Sequence, residues 1–235
     1  MEVSIKFKAG ILKAYVVRAE ASKTCVLFLS GGSISVGKER YREWQDNLNL
    51  AGINSISFDY SGVNDSGMGL TESSLKSRIE ESIYMSDWMK EHIKVELYIL
   101  YGVSMGGYIG IGLINQRPHI FKKLILHAPA AYSPKAHTLC FGENFTHELR
   151  TNNDWINSLS FEWLREYKDP ILFIESEDEE IIPDQIIKKY KSLITENKKF
   201  KTFVLGGAKH NIWGSNSQEK KFREKVYETI LNFIE

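Results

Sequence analysis

Cysteine is scarce in this chain, and long apolar runs are missing from it. The two cysteines, Cys25 and Cys140, stand far apart in 235 residues and show neither a metal-binding nor a redox spacing. The first residues lack the apolar stretch of a signal peptide, and no later run is long enough to span a bilayer. The sequence therefore predicts a protein without a membrane span in a reducing, cytoplasmic setting.

An excess of charge of either sign is missing too. The chain has 30 basic and 30 acidic residues, with no basic stripe and no polybasic tail. This balance argues against nucleic acid as the main partner and against electrostatic attachment to a membrane. No repeat or low-complexity linker interrupts the sequence, and its length suits one large domain or two small ones.

The most informative segment that is present is the run Gly102-Val103-Ser104-Met105-Gly106-Gly107. An apolar stretch typical of a buried strand precedes it, and a plausible buried helix follows it. A serine between glycines at a strand-to-helix turn is typical of a nucleophile elbow, which lifts the hydroxyl clear of the backbone. The alternative is a glycine-rich turn in which Ser104 only caps the helix.

The rest of the chain alternates between strand-like and helix-like segments. After a predicted N-terminal hairpin, this alternation predicts a doubly wound, mostly parallel sheet. The predicted strands are 3–7, 12–17, 24–29, 53–58, 97–101, 123–127, 171–174 and 200–205, and the predicted helices include 38–51, 71–92, 108–114, 183–194 and 217–234. Ligands bind such sheets beyond the carboxyl ends of the strands, where all the candidate residues lie.

One segment, residues 132–169, breaks the alternation. It mixes aromatic and polar residues without a strand-like core, and it is interpreted as an insertion or lid over the site. Its aromatic side chains suit an apolar acyl or aryl group, but a lid also needs such side chains simply to pack onto the sheet.

A serine hydroxyl needs a neighbouring base, and His210 is the best candidate. It lies in a glycine-rich loop between the last strand and the last helix. His127, at the end of a strand, is the only serious rival, and the simpler interpretation makes it a polar residue that lines the pocket. The base also needs an acid that orients it, and the run 175–180 offers five carboxylates, most of them expected to be solvated.

The oxyanion of an acyl-transfer reaction requires two backbone donors. The amide of Met105 at the start of the helix is one candidate. Gly32, in the loop after the first central strand, is the favoured second donor, with Ser33 close behind it.

With these residues in place, the chain resembles the alpha/beta-hydrolase superfamily over nearly its whole length, in particular small esterases, lysophospholipases and acyl-thioesterases. The order of nucleophile, acid and histidine is that of the superfamily. Three smaller signatures have counterparts, in Ser30-Gly31, in residues 59–66 and in residues 176–183. Ser30 replaces the usual histidine of the first signature. Ungapped alignment of the third places Glu179 at the position of the acid and Asp178 one residue early, so both remain candidates.

The resemblance implies a single alpha/beta-hydrolase domain over residues 1–235, with 132–169 as its lid. It also implies a serine hydrolase that cleaves a carboxylic ester or thioester through an acyl-enzyme on Ser104, with no metal and no organic cofactor. Two alternatives use the same residues differently: an acyltransferase with an acceptor other than water, and a binding protein on a hydrolase fold. The acyl chain length, the leaving group and the oligomeric state are left open.

Overall fold

The eight strands found in the described residues form one mixed sheet. The computed structural model describes residues 1–32, 37–152, 154–195 and 199–235. The strands are β1 (Glu2–Phe7), β2 (Gly10–Val17), β3 (Thr24–Leu29), β4 (Asn54–Phe58), β5 (Leu97–Val103), β6 (Phe121–His127), β7 (Ile171–Ser176) and β8 (Phe200–Leu205). Their order across the sheet is β1-β2-β4-β3-β5-β6-β7-β8.

The N-terminal hairpin is the antiparallel part of this sheet. β1 pairs with β2 and β2 with β4 in antiparallel register, whereas every other neighbouring pair is parallel. The carboxyl ends of the central strands are level with one another, since Leu29 pairs with Gly102 and Val103 with His127. This is the alpha/beta-hydrolase fold, which confirms the fold predicted from the sequence.

Helices cover both faces of the sheet. The α-helices are α1 (Arg42–Leu50), α2 (Leu75–His92), α3 (Met105–Gln116), α4 (Glu143–Thr151), α5 (Leu159–Glu166), α6 (Asp184–Ile194) and α7 (Ser217–Ile234), with 3-10 helices at Lys38–Tyr41, Leu70–Glu72 and Asp154–Asn157. The apolar side chains form two clusters. The α2–α3 face contains side chains of α2, α3, α5 and α6, and the α1–α7 face contains those of α1 and α7. Because β3 and β5 are buried on both faces, they read as nearly continuous apolar runs in the sequence, whereas the equally buried β4 also carries Asn54, Ser55 and Ser57.

Two predicted helices begin later than expected. The helix predicted from residue 38 starts as a 3-10 turn and becomes α-helical at Arg42. The helix predicted from residue 71 begins at Leu75, because Ser74 caps it: the Ser74 hydroxyl accepts a hydrogen bond from the Ser77 amide, and the Ser77 hydroxyl accepts one from the Ser74 amide.

The segment between β6 and β7 starts with irregular chain over residues 128–142 and then becomes mostly helical in its described part. It contributes α4, a 3-10 helix and α5, and α5 packs against α3. Cys25 is buried and Cys140 is exposed, and both are free thiols. No helix in the described ranges is long and apolar enough to cross a membrane.

Candidate active site

Ser104 lies alone between the last residue of β5 and the first residue of α3. Its φ of 55° and ψ of −121° place it in a strained backbone region that a non-glycine residue rarely adopts. Three hydrogen bonds hold this conformation: the Ser104 amide donates to the His127 carbonyl at 2.9 Å, and the Ser104 carbonyl accepts from the amides of Gly107 and Ala130, both at 3.0 Å. The side chain makes no helix-capping hydrogen bond, so the alternative interpretation of Ser104 as a cap has no support.

The elbow fits only because glycine lies on both sides of the serine. A Cβ atom on Gly106 would overlap the carbonyl oxygens of Leu29 and Ser30 at the end of β3, and one on Gly102 would overlap the backbone of Gly106. These approaches hold the start of α3 against β3 and β5. The sequence pattern therefore has a steric cause.

His210 and Glu179 meet at the carboxyl edge of the sheet. His210 Nδ1 lies 2.8 Å from the Glu179 carboxylate, and the two side chains are only 15 % and 10 % exposed. The Glu179 carboxylate also accepts hydrogen bonds from the amides of Ile181 and Ile182, each at 2.9 Å. Burial raises the pKa of Glu179, but the hydrogen bonds from His210 and from these two amides outweigh burial and leave the pKa below its usual value. An ionised Glu179 only accepts hydrogen bonds, so His210 Nδ1 is the donor of this contact, and in the neutral form of the ring Nε2 is the nitrogen with the free lone pair.

Two other carboxylates of the acidic run, those of Glu177 and Glu180, hold the histidine loop in place. Glu177 accepts a hydrogen bond from the Gly207 amide at 2.7 Å, and Glu180 accepts one from the His210 amide at 3.0 Å. Asp178 donates its own amide to the Ala208 carbonyl at 2.9 Å, while its side chain is exposed. The structure thus brings Glu179 to His210 and leaves the Asp178 carboxylate in solvent.

His127 interacts with both parts of the site, the Ser104 elbow and the pair formed by His210 and Glu179. Its carbonyl holds the Ser104 amide, and its ring is close enough to His210 and Glu179 to feel their charges. The side chain is fully buried, with Nδ1 2.8 Å from the Tyr101 hydroxyl. Burial, followed by the charge of His210, lowers the pKa of His127 to about 3, so the ring is neutral at pH 7.

The loop after β3 lies against the elbow. A Cβ atom on Gly31 would lie 3.4 Å from Ser104 Cβ and 3.8 Å from its hydroxyl oxygen, and one on Gly32 would lie 3.1 Å from Met105 Cε. Met105 opens α3, where the first amides of a helix have no intrahelical acceptor. Gly32 and Met105 therefore frame the space beside the Ser104 hydroxyl, and Ser33, the other candidate donor, lies outside the described residues.

Sequence reasoning missed three groups of the site. It missed the Tyr101 hydroxyl that orients His127, the two glutamates that anchor the histidine loop, and Arg78, whose Nη1 lies 3.2 Å from Met105 Sδ. No local pattern marks these groups, because each contact joins residues from different elements. Within the described ranges, no group of three or more histidine, cysteine or acidic side chains could hold a metal ion.

Known proteins share this fold and parts of this sequence. The chain is 23 % identical over 195 residues to the lysophosphatidylserine lipase ABHD12 of Danio rerio, a match that covers 76 % of this chain and about half (49 %) of that relative. The structure of Est1E from Butyrivibrio proteoclasticus with bound ferulic acid superposes with a TM-score of 0.77 at 18 % identity, over 99 % of each chain. A monoacylglycerol lipase of Paleococcus ferrophilus has a TM-score of 0.69 at 17 % identity, over 94 % of this chain and 99 % of that one.

The family model described as "Serine aminopeptidase, S33" matches residues 20–168, well over half of the chain. This stretch contains the β3 loop, the elbow and the segment that follows β6. By this match, the protein belongs to the alpha/beta-hydrolase family of serine aminopeptidase S33-like, esterase and lipase proteins.

Proposed function

We propose that this protein is a serine hydrolase of the esterase and lipase type that cleaves a carboxylic ester or thioester through an acyl-enzyme on Ser104. The observation that carries the proposal is the 2.8 Å contact between His210 Nδ1 and the Glu179 carboxylate, at the same edge of the sheet as the strained Ser104. A histidine whose Nδ1–H is held by a carboxylate is a base at Nε2, which is the atom a serine hydroxyl needs nearby.

In the first step, Ser104 Oγ attacks the acyl carbonyl carbon while His210 Nε2 takes the hydroxyl proton. The negative charge that develops on the carbonyl oxygen is held by the amides of Met105 and Gly32, each donor contributing about 3 kcal/mol. Glu179 stabilises the imidazolium without taking its proton. His210 then protonates the leaving group, and the acyl-enzyme remains on Ser104.

In the second step, water attacks the acyl-enzyme with His210 again as the base. An alcohol, thiol or amine in place of water would make the same residues an acyltransferase. We assign no metal and no organic cofactor to either step, because each bond that forms or breaks has a side chain or an amide to serve it.

Residues 132–169 are proposed as the lid of a single domain that spans residues 1–235. Three buried aromatic side chains of this segment lie next to one another, with ring centroids 5.9 Å apart for Tyr132 and Phe145 and 4.9 Å apart for Phe141 and Phe145. They offer an apolar wall for an acyl or aryl group. The two free thiols agree with a cytoplasmic setting.

The test is labelling of Ser104 by a fluorophosphonate, together with hydrolysis of a chain-length series of 4-nitrophenyl esters and acyl-CoA thioesters. Ser104→Ala should abolish labelling and lower kcat by at least about a thousandfold, because the nucleophile is lost. Ser215→Ala, a change at an exposed serine, is the matched control and should leave both unchanged. Full activity in Ser104→Ala would disprove the assignment.

The same assay separates the alternatives. Faster turnover or a new acylated product on addition of an alcohol or amine acceptor would identify an acyltransferase. An aminoacyl 4-nitroanilide in the panel tests for the amide cleavage that the family's name suggests. No labelling and no turnover of any substrate would favour a binding protein.

A further inference from the structure

Arg78 is a buried cation with no anionic partner among the described residues. It lies in the first turns of α2 and is 1 % exposed, yet no carboxylate in the described ranges forms an ion pair with it. Its guanidinium lies over the rings of Tyr60, at 4.9 Å, and Phe141, at 4.5 Å. Nε has no hydrogen-bond partner among the described residues, and Nη1 donates only to the thioether of Met105. A buried cation with so few hydrogen-bond acceptors has a high desolvation cost, and a further acceptor would reduce that cost.

An acidic side chain of the same helix does not supply the missing acceptor. Glu81, one turn further along α2, is fully buried and accepts a hydrogen bond from the Ser61 amide at 3.0 Å. Its other oxygen, Oε1, has no partner in the described part of the chain. Burial raises the pKa of Glu81. Because the Glu81 carboxylate is bonded to the Ser61 amide and not to Arg78, the guanidinium has no carboxylate within ion-pair distance in the described part of the chain.

Met105 connects this charge to the reaction centre. Its sulfur accepts the hydrogen bond from Arg78 at 3.2 Å, and its terminal methyl reaches Gly32 of the oxyanion loop. A thioether is a weak acceptor on a flexible side chain. A substrate anion that moved this side chain aside would replace the weak bond by a charge-assisted one.

His210 and Arg78 lie toward opposite faces of the sheet, and this placement indicates whether the leaving group or the acyl chain of the substrate bears the anion. His210 must protonate the leaving group, and its neighbours Ala208 and Ile212 belong to the cluster of the α1–α7 face. Met105 and Tyr60, the partners of Arg78, belong to the cluster of the α2–α3 face. A leaving group that faces His210 therefore places the acyl chain on the side of Arg78.

We propose that Arg78 is a specificity-determining residue that binds a carboxylate on the acyl chain, so that the preferred substrates are monoesters or monothioesters of dicarboxylic acids. This inference rests on the proposed hydrolase function. It adds no step to the reaction: the carboxylate stays ionised, and Arg78 only donates hydrogen bonds to it.

The experiment compares two esters that differ at one end of the acyl chain, 4-nitrophenyl hexanoate and the mono-4-nitrophenyl ester of adipic acid. The wild-type protein should have at least as high a kcat/KM for the adipate ester as for the hexanoate ester. Arg78→Met should lower kcat/KM for the adipate ester by about 10- to 100-fold, the ratio expected from one hydrogen bond to a charged group, and change that for the hexanoate ester by less than about threefold. Arg78→Lys, which keeps the charge but loses the fork of donors, should fall between the two.

Lys76→Met is the matched control, because Lys76 is an exposed cation two residues away on the same helix. It should leave both kcat/KM values within about twofold of wild type, as expected for a screened surface charge. An equal fall for both esters in Arg78→Met would show a structural role and overturn the inference. So would a wild-type preference for the neutral ester at every chain length from the glutarate to the suberate ester.

Two further measurements keep the test decisive. If Arg78→Met does not fold, the wild-type protein decides: the monoamide of adipic acid, which has one carboxylate, should inhibit hexanoate ester hydrolysis competitively and at least tenfold more strongly than the neutral hexanamide does, and equal inhibition would overturn the inference. The neutral ester reports on the proposed function independently, because it needs Ser104 and not Arg78. Turnover of the neutral ester without any response to the carboxylate therefore rejects the role of Arg78 alone.

Discussion

Two pairs of buried opposite charges lie near the carboxyl edge of the sheet, and they differ in how they are satisfied. In the Lys38–Asp59 pair, Nζ lies 2.9 Å from the carboxylate, which also accepts hydrogen bonds from the Lys38 amide at 2.6 Å and from Asn64 Nδ2 at 3.3 Å. In the Arg78–Glu81 pair the charges are not in contact, and each side chain has a polar atom without a partner in the described part of the chain.

This difference indicates a structural role for the Lys38–Asp59 pair and a binding role for Arg78. Removal of one member of a satisfied buried pair leaves the other uncompensated, so the pair stabilises the loop that it closes. A cation that is already uncompensated costs desolvation energy in the free protein, and that cost is offset only when a ligand supplies the anion. Variants at Glu179, at the two buried cations and at His127 test this comparison, in order of decreasing expected effect.

The most fully satisfied carboxylate of the site is Glu179, and its change should have the largest effect. Glu179→Gln should lower kcat for ester hydrolysis by about a thousandfold or more, since a neutral amide neither stabilises the imidazolium nor enforces the Nδ1–H tautomer. Asp178→Asn is the matched control at the exposed neighbouring carboxylate and should stay within about threefold of wild type. Steady-state kinetics on one 4-nitrophenyl ester measure kcat for both variants and the wild-type protein. The opposite pattern would transfer the role of the acid to Asp178.

The two buried cations, Lys38 and Arg78, should differ in how much they contribute to the free energy of unfolding. Lys38→Met should lower the free energy of unfolding by about 3–5 kcal/mol, because it strands the fully buried Asp59 carboxylate. Arg78→Met should change it by less than about 1 kcal/mol, because the lost contacts with the two aromatic rings are offset by the desolvation cost that is removed. Urea unfolding of both variants at pH 7 measures the difference. Equal destabilisation would mean that Arg78 is as structural as Lys38.

The smallest expected effect is on the pH dependence of stability and comes from His127, whose buried ring is neutral in the folded protein. Its pKa is about 3 in the folded protein, against an ordinary value of 6.5 that applies to the unfolded chain. Below pH 6.5 the unfolded chain therefore binds a proton that the folded protein does not, and stability falls as the pH falls. Between pH 7 and pH 5.5 this linkage should cost about 1.3 kcal/mol.

Urea unfolding of His127→Gln at the two pH values tests this linkage. The variant should lose about 1 kcal/mol less stability than the wild-type protein over the same interval, because glutamine does not titrate. His119→Gln, at an exposed histidine, should keep the wild-type pH dependence. A wild-type dependence in His127→Gln as well would show that other groups cause the loss.

Local pattern was enough to predict the frame of the site. The elbow at Ser104 carries its own signature, since the glycines beside it are required by contacts within a few residues and with one neighbouring strand. The strand at 24–29, the strand at 200–205 and the helix at 217–234 have the predicted bounds, because turn residues and polar caps mark their ends in the sequence. The start of α2 was wrong by four residues, because the cap is formed by Ser74 and Ser77 and not by the more conspicuous Thr71.

Local pattern was not enough where a side chain depends on the partner it meets. The sequence offers five carboxylates between residues 175 and 180, and register alone favoured Glu179 only slightly. The turn that follows β7 is decisive, because it directs Glu179 to His210 and Glu177 and Glu180 to the backbone of the histidine loop. Arg78 looks in the sequence like any exposed cation of an amphipathic helix.

By itself, then, the sequence determined the order of strands and helices, the elbow and the family, because spacing, glycine positions and apolar periodicity act over short stretches of chain. The tertiary structure alone decided which acid meets the histidine, that His127 is buried and neutral, and that the Arg78 guanidinium lies beside Met105 with no ion pair among the described residues. Those properties depend on burial and on hydrogen-bond partners from remote segments, and both exist only once the sheet and its helices have come together.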